Sequence, residues 1–310
     1  HPAMITSNAY WKAMKKTLDG ITTEDLSKEQ VCFGKNKLFE MESMEDGYSD
    51  YVEVSGTTLL VEKDEGKTMA VDPGIIMGGT KRLIPRTMAK KVIISEEAME
   101  DLKYKEIINA SKRLQASAWK TQDIDGASVV LNCTSTLQGY DNLALVSTSH
   151  TLPGGGTESN YIALDSNSNG ITMTPSTQAI IQMRAKATLM KGPNGIIDSR
   201  ELKGLTFPAI QIDLWDIITG TKQAVGSNWN DINTVSTYGL YKVPVKWYDA
   251  VSTTIWGGLT DAEDGFIALQ KRKIRGRVWV DNDAETAMHS VSYRMAIGVA
   301  NWRCFILGNT

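Results

Sequence analysis

The sequence predicts an α+β chain. Three observations carry this expectation: a strand-rich ribbon at 49–86, a long amphipathic helix from Ser95 to about Thr121, and a β-rich C-terminal region from Gly265 onward.

Taken in order, residues 1–48 read as an extended arm with short helices. Tyr10, Trp11 and Met14 fall at helical spacing, and Thr22-Thr23-Glu24-Asp25 has the character of a helix start. Gly34-Lys35-Asn36-Lys37 weakens regular structure there. An arm with so little core of its own is expected to pack on other subunits.

The ribbon has strand formers at Tyr51, Val52, Val54 and 57–61. It turns at Lys63-Asp64-Glu65-Gly66, where glycine accepts a positive φ, and returns along 67–71 to close at Asp72-Pro73-Gly74. Ser95 is placed as the N-cap of the long helix, with Glu96 and Glu97 at the positive end of its dipole. Tyr104, Ile107, Ser111, Leu114 and Ala118 form its buried stripe, and a second helical segment is expected from about Asp125 to Asn132.

Between Cys133 and about Tyr248, Gly, Ser, Asn and Thr punctuate short apolar segments. A helix is predicted at 177–190, stopped by Lys191-Gly192-Pro193, then a short strand at 205–207, a helix at 209–219 and a strand at 238–245 with Pro244 at a sheet edge. The C-terminal strands are expected at 265–269, 275–280, 290–299 and 304–307, with a turn at Asp281-Asn282-Asp283.

A chain of 310 residues can bury a substantial core, and a net charge of −3 argues against a strongly basic nucleic-acid binder. Cys32, Cys133 and Cys304 are odd in number and lack CxxC spacing, so they read as free thiols in a reducing compartment. No run reaches the length of a transmembrane helix, and His1-Pro2-Ala3-Met4 has no apolar stretch of a signal peptide. Met4 as a start behind an added tail and His1 as the product of a processing cut both remain open.

Residues 145–160, LVSTSHTLPGGGTESN, look at first like a catalytic loop. Ser147 and Ser149 lie near His150, which raises a Ser/His hydrolase reading. No G-x-S-x-G elbow surrounds them, and a histidine that orders the loop backbone is the favoured reading; His289 reads the same way. Gly154-Gly155-Gly156 and Gly78-Gly79-Thr80-Lys81 do not fit a phosphate loop and read as flexible loops. Asp123, Asp125, Asp281 and Asp283 read as caps and turns, because the EF-hand pattern is missing. No cofactor, metal or enzymatic activity is therefore expected. Lys271, Lys273, Arg275 and Arg277 share one strand face at period two. Such a face suits phosphate or an acidic partner, or simply keeps an exposed strand soluble; the favoured reading is a contact with Glu62, Asp64 and Glu65 from the ribbon of a neighbouring subunit. The tryptophans, among them Trp215, Trp229, Trp256 and Trp302, read as core or interface anchors.

The order of these segments resembles the major capsid proteins of tailed bacteriophages, the Mu-like head subunits in particular. The resemblance rests on the loop H-x-x-x-G-G-G-x-x-S-N from His150 to Asn160, the helix after it, GPNGIID from Gly192 to Asp198, and the closing β-region with Asn301-Trp302-Arg303. It covers most of the chain and implies the HK97-type fold: an N-terminal arm at 1–48, an E-loop ribbon at 49–88, a P-domain at 89–132 and 249–310, and an A-domain at 133–248. His150, Gly154, Gly155 and Asn160 then mark an A-domain loop.

The implied role is self-assembly into pentamers and hexamers of an icosahedral head around double-stranded DNA. The implied location is the virion capsid, assembled in the host bacterial cytoplasm. Scaffolding protein, portal and a decoration or cement protein are the implied partners, with DNA held non-specifically and no membrane. Some relatives carry a charged N-terminal scaffolding domain that is not seen here. Some cross-link Lys to Asn; Lys63 and Lys67 lie near the ribbon tip, but no motif marks a partner Asn, and that chemistry is not carried over. An encapsulin-like compartment shares the implied fold and is the nearest alternative.

Overall fold

The computed structural model describes residues 7–22, 25–72, 74–95, 97, 104–136, 138–223, 232–281 and 286–310. In chain order these form helix α1 (Ser7–Thr22), strands β1 (Glu40–Ser43), β2 (Ser49–Val54), β3 (Met77–Leu83) and β4 (Arg86–Ser95), and the long helix α2 (Tyr104–Leu131). Four two-residue strands follow: β5 (His150–Thr151), β6 (Thr157–Glu158), β7 (Ala163–Leu164) and β8 (Gly170–Ile171). Then come α3 (Thr177–Thr188), β9 (Leu202–Pro208), α4 (Ile212–Gly220), β10 (Tyr241–Val245), β11 (Trp256–Thr260), β12 (Phe266–Asp281), β13 (Thr286–Val299) and β14 (Phe305–Asn309).

Two four-stranded sheets organise these elements. The first has the order β1-β12-β13-β4, with β1 parallel to β12 and the other pairs antiparallel. Its inner face follows from strict alternation in β13, where Ala287, His289, Val291, Tyr293 and Met295 are all buried. The second sheet has the order β10-β9-β11-β14. Pro244 lies on β10, an edge strand, where a missing N–H costs least. Because β9 belongs to 133–248 while β11 and β14 belong to 249–310, the two segments share this sheet.

The main core joins both segments. Ala127 and Val130 of α2, Ile180 and Met183 of α3, and Phe305, Ile306 and Leu307 of β14 pack in one cluster with Trp215, Trp256 and Trp302. Phe207 stacks on Trp215 at 5.1 Å, and Trp215 meets Trp256 at 4.9 Å. The helix α3 starts where expected, with the Ser176 hydroxyl accepting the Ala179 N–H at 3.1 Å.

Several local expectations change. Ser95 is the last residue of β4, not a helix cap, because β4 is zipped to β13 from Arg86 through Ser95. Two helices expected around 95–132 are one, running unbroken through Gly126, where a Cβ would stand 3.1 Å from Cys32 and 3.2 Å from the Phe33 ring. Residues 98–103 lie outside the description. The strands expected at 265–269 and 275–280 are one sixteen-residue strand, β12, with irregular register between Gln270 and Arg275. Thr22 ends α1 instead of starting a helix, and Asp25 accepts the Ser27 N–H at 2.9 Å to open a short 3-10 turn, Ser27–Glu29.

The arm also behaves differently. Met14, Leu18 and Ile21 of α1 are buried against Ile94, Ile107 and Ala287 of the same chain. Further along, Cys32, Phe33, Leu38 and Phe39 enter the main core. Burial of a helix face within the chain outweighs the low apolar content that suggested packing elsewhere.

Candidate assembly surfaces and the buried network behind them

The ribbon is half formed. β2 and β3 pair antiparallel, but 55–76 carries no strand among its described residues. The strands expected at 57–61 and 67–71 are absent, because none of the described residues covers them. Leu60 is 101% exposed and Val71 91%, with Leu59, Val61 and Met69 also uncovered. At the neck, Asp72 accepts the Thr58 N–H at 3.0 Å and its hydroxyl at 3.2 Å. The Gly74 and Thr58 N–H groups hold the Asp72 carboxyl below its usual range. Glu62, Asp64 and Glu65 sit exposed at the tip, where Asp64 pairs with Lys67 at 2.5 Å.

The root of the ribbon is anchored by a buried ion pair. Glu53 accepts from Arg303 Nη1 at 2.8 Å, with both side chains almost fully buried. Arg303 Nε donates to the Lys191 carbonyl at 2.8 Å, and its guanidinium lies 4.3 Å from the Trp302 ring centre. Gly78 and Gly79, expected in a flexible loop, lie in β3 at a close approach. A Cβ on Gly79 would stand 1.9 Å from the Tyr140 carbonyl oxygen, so backbone meets backbone there.

Behind the root lies the 145–160 loop. His150 is fully buried; its Nδ1 is 2.7 Å from Asp141 Oδ2 and its Nε2 3.2 Å from Asn160 Oδ1. The ring stacks on Trp302 at 4.1 Å, with the two planes nearly parallel at 2°. Asn160 is the hub. Its Nδ2 donates to the carbonyls of Leu145 (2.6 Å), Phe305 (3.0 Å) and Trp302 (3.3 Å), while Oδ1 accepts from Ser147 N–H (3.0 Å). Burial pushes the Asp141 carboxyl up, but His150 and the Leu143 N–H outweigh it and leave it below its usual value. Gly155 and Gly156 take positive φ values of 100° and 87°, and Gly154 N–H donates to Pro193 at 2.9 Å. These glycines build a fixed turn.

This geometry does not assemble a Ser/His pair. Both His150 nitrogens face acceptors, and the Ser147 hydroxyl accepts from Ser149 N–H at 3.2 Å. A base needs a free lone pair directed at the nucleophile, and neither is present. Sequence reading singled out His150 and Asn160; it missed Asp141, which no spacing rule links to them. Among the described residues no group of three or more His, Cys, Asp or Glu is arranged to hold a metal. All three cysteines are free and buried, and burial pushes the Cys133 thiol up to about 12.

The pairing of the basic strand with β13 shifts register between Gln270 and Arg275, yet exposure alternates at period two from Lys273 to Arg277. Lys271 turns to the Glu45 carbonyl, while Lys273, Arg275 and Arg277 stay exposed. Lys273 and Arg275 border a groove of about 850 Å³ whose walls include Lys28, Lys35, Phe33 and Trp119.

No family model matches this sequence, and no curated protein matches it significantly. Solved structures do. A chain of Microbacterium phage Oxtober96 is 12% identical, over 92% of this chain and 91% of that one, with a TM-score of 0.54. A chain of Mycobacterium phage Adephagia is 9% identical, over 87% of each, with a TM-score of 0.53. The capsid of Myoviridae Phage XM1 is 10% identical over 91% of each chain, with a TM-score of 0.49. The fold is the mixed helix-and-sheet HK97-type capsid fold.

Proposed function

We propose that this chain is a major capsid protein that self-assembles into the pentamers and hexamers of an icosahedral phage head around double-stranded DNA. One observation carries the reading: on an HK97-type fold, a ribbon presents Leu59, Leu60, Val61, Met69 and Val71 with none of the described residues covering them. A contiguous uncovered apolar segment of this kind is an interaction surface. Neighbouring copies are the occupants that closed assembly supplies.

The proposed division is an arm at 1–48, a ribbon at 49–88, a P-domain at 89–132 and 249–310, and an A-domain at 133–248. The order of the segments from 145 to 198 supports a likeness to the Mu-like head subunits. Scaffolding, portal and decoration proteins belong to the same reading, as does assembly in the bacterial cytoplasm. The net charge of −3 suits a container that does not grip its DNA.

At the contact between copies, Glu62, Asp64 and Glu65 of one ribbon meet Lys273, Arg275 and Arg277 of the next, with Lys271 beside them. Electron microscopy of the purified protein is the direct test, with closed shells as the expected result. The triple variant Leu59→Ser, Leu60→Ser, Val61→Ser is expected to fold yet leave open capsomers or monomers. Shells indistinguishable from the parent would overturn the reading. Particles filled with a protein cargo in place of nuclease-protected DNA would reassign the shell to an encapsulin-like compartment.

A further inference from the structure

We propose that His289 is a proton-sensitive latch: acidification loosens α1 from the sheet and frees the N-terminal segment while the two sheets stay folded. The proposal is independent of the shell reading.

The helix α1 is not part of the main core. It is held by a satellite cluster in which Met14, Leu18 and Ile21 meet Ile94, Ile107 and Ala287, with Val92, Ile108 and Val278 around them. His289 lies on the same face of β13 as Ala287, two residues away. Its ladder partners are Val92 on β4 and Val278 on β12, both members of that cluster. The ring is fully buried, and neither nitrogen has a hydrogen-bond partner among the described residues. This corrects the expectation of a loop-ordering histidine: His289 is a strand residue facing apolar neighbours.

A neutral ring is tolerated there, but a protonated one is not. The second N–H would find no acceptor, and the charge would sit among Val, Ile and Ala side chains. Burial accordingly holds His289 below its usual value, and Asp19 on α1, which acts in the opposite direction, does not restore it. Among the described residues the other elements present apolar side chains to it: Ile107 and Ile108 from α2, Val92 from β4 and Val278 from β12. Lys91 and Arg277 are exposed, and Lys91 reaches across to Met288, the outward neighbour of His289.

The released state binds the proton more readily than the docked state. Docking is therefore complete above the ordinary histidine value of about 6.5 and weakens as pH falls through it.

Hydrogen exchange of the full-length chain, corrected for intrinsic rates, tests this at pH 7.5 and 5.0. Opening of 7–22 is expected to rise about tenfold at the lower pH, with protection of β9 to β14 unchanged. Trypsin cleavage after the exposed Lys15 and Lys16 should accelerate in parallel. His289→Leu, and independently His289→Gln should the leucine variant fold poorly, are expected to remove the pH dependence. An α1 equally protected at both pH values, or a pH dependence that survives both substitutions, would overturn the latch.

Discussion

Asn160 ties a glycine-rich loop to the C-terminal segment with one side chain. Three backbone carbonyls accept from its amide, so replacing the amide by a carboxylate sets like partial charges against each other. Asn160→Asp is expected to lower stability on the order of 3 kcal/mol, read as a drop in urea midpoint. Asp141 contributes with a definite pH sign. Its carboxyl is held low in the folded chain, so its contribution is full above the ordinary carboxylate value of about 4 and is lost as pH falls through the folded value. Asp141→Asn should be less stable at neutral pH and show a flatter stability profile between pH 5 and 3 in acid titrations followed by circular dichroism. His150 and Asn160 stood out in the sequence because a histidine beside Ser147 and Ser149 opens the H-x-x-x-G-G-G-x-x-S-N loop that Asn160 closes. Asp141 did not, since it meets His150 through a fold-imposed turn and not through local periodicity.

Elements are joined by a few buried polar contacts. Asp123, read from sequence as a cap or turn, lies in the interior of α2. Its carboxylate accepts from the N–H groups of Val31 (3.0 Å) and Cys32 (2.7 Å) and from Trp247 Nε1 (2.6 Å). Asp123→Ala orphans three donors at once, and a loss of about 3 kcal/mol is expected, with the Val31 and Cys32 amides exchanging first. The ribbon root depends likewise on Glu53. Glu53→Gln strands a buried guanidinium and should cost about 3 kcal/mol in thermal or chemical unfolding. The helices α3 and α4 and the C-terminal strands were legible because period and caps agree with burial. Ser95 was misplaced because its cap chemistry is local, whereas the β4–β13 ladder that claims it spans a long stretch of chain.

For the whole molecule, the expected assembly rests on surfaces that a single chain leaves open. Lys273→Glu with Arg275→Glu should block shell formation without changing the unfolding midpoint. Adding Asp64→Lys and Glu65→Lys should restore it. Shells that form and resist heat like the parent would sink the ribbon-to-strand contact, and light scattering distinguishes these outcomes. A native chain unreactive toward thiol reagents is also expected, since Cys32, Cys133 and Cys304 are all buried.

The sequence by itself determined the α+β class, the antiparallel base of the ribbon and its charged turn, the caps and breaks of the central segment, and the marked loop at 145–160. Each is set by short-range chemistry: side-chain period, glycine φ and hydrogen-bonding side chains near their own backbone. Only the tertiary structure decided that α1 folds back on its own sheet, that the second sheet runs across the 248–249 boundary, and that His150 is held by Asp141. It also decided that β12 shifts register against β13 between Gln270 and Arg275 and that His289 is buried with no hydrogen-bond partner among the described residues. These depend on which distant segments meet, and long-range burial overrides local preference wherever the two disagree.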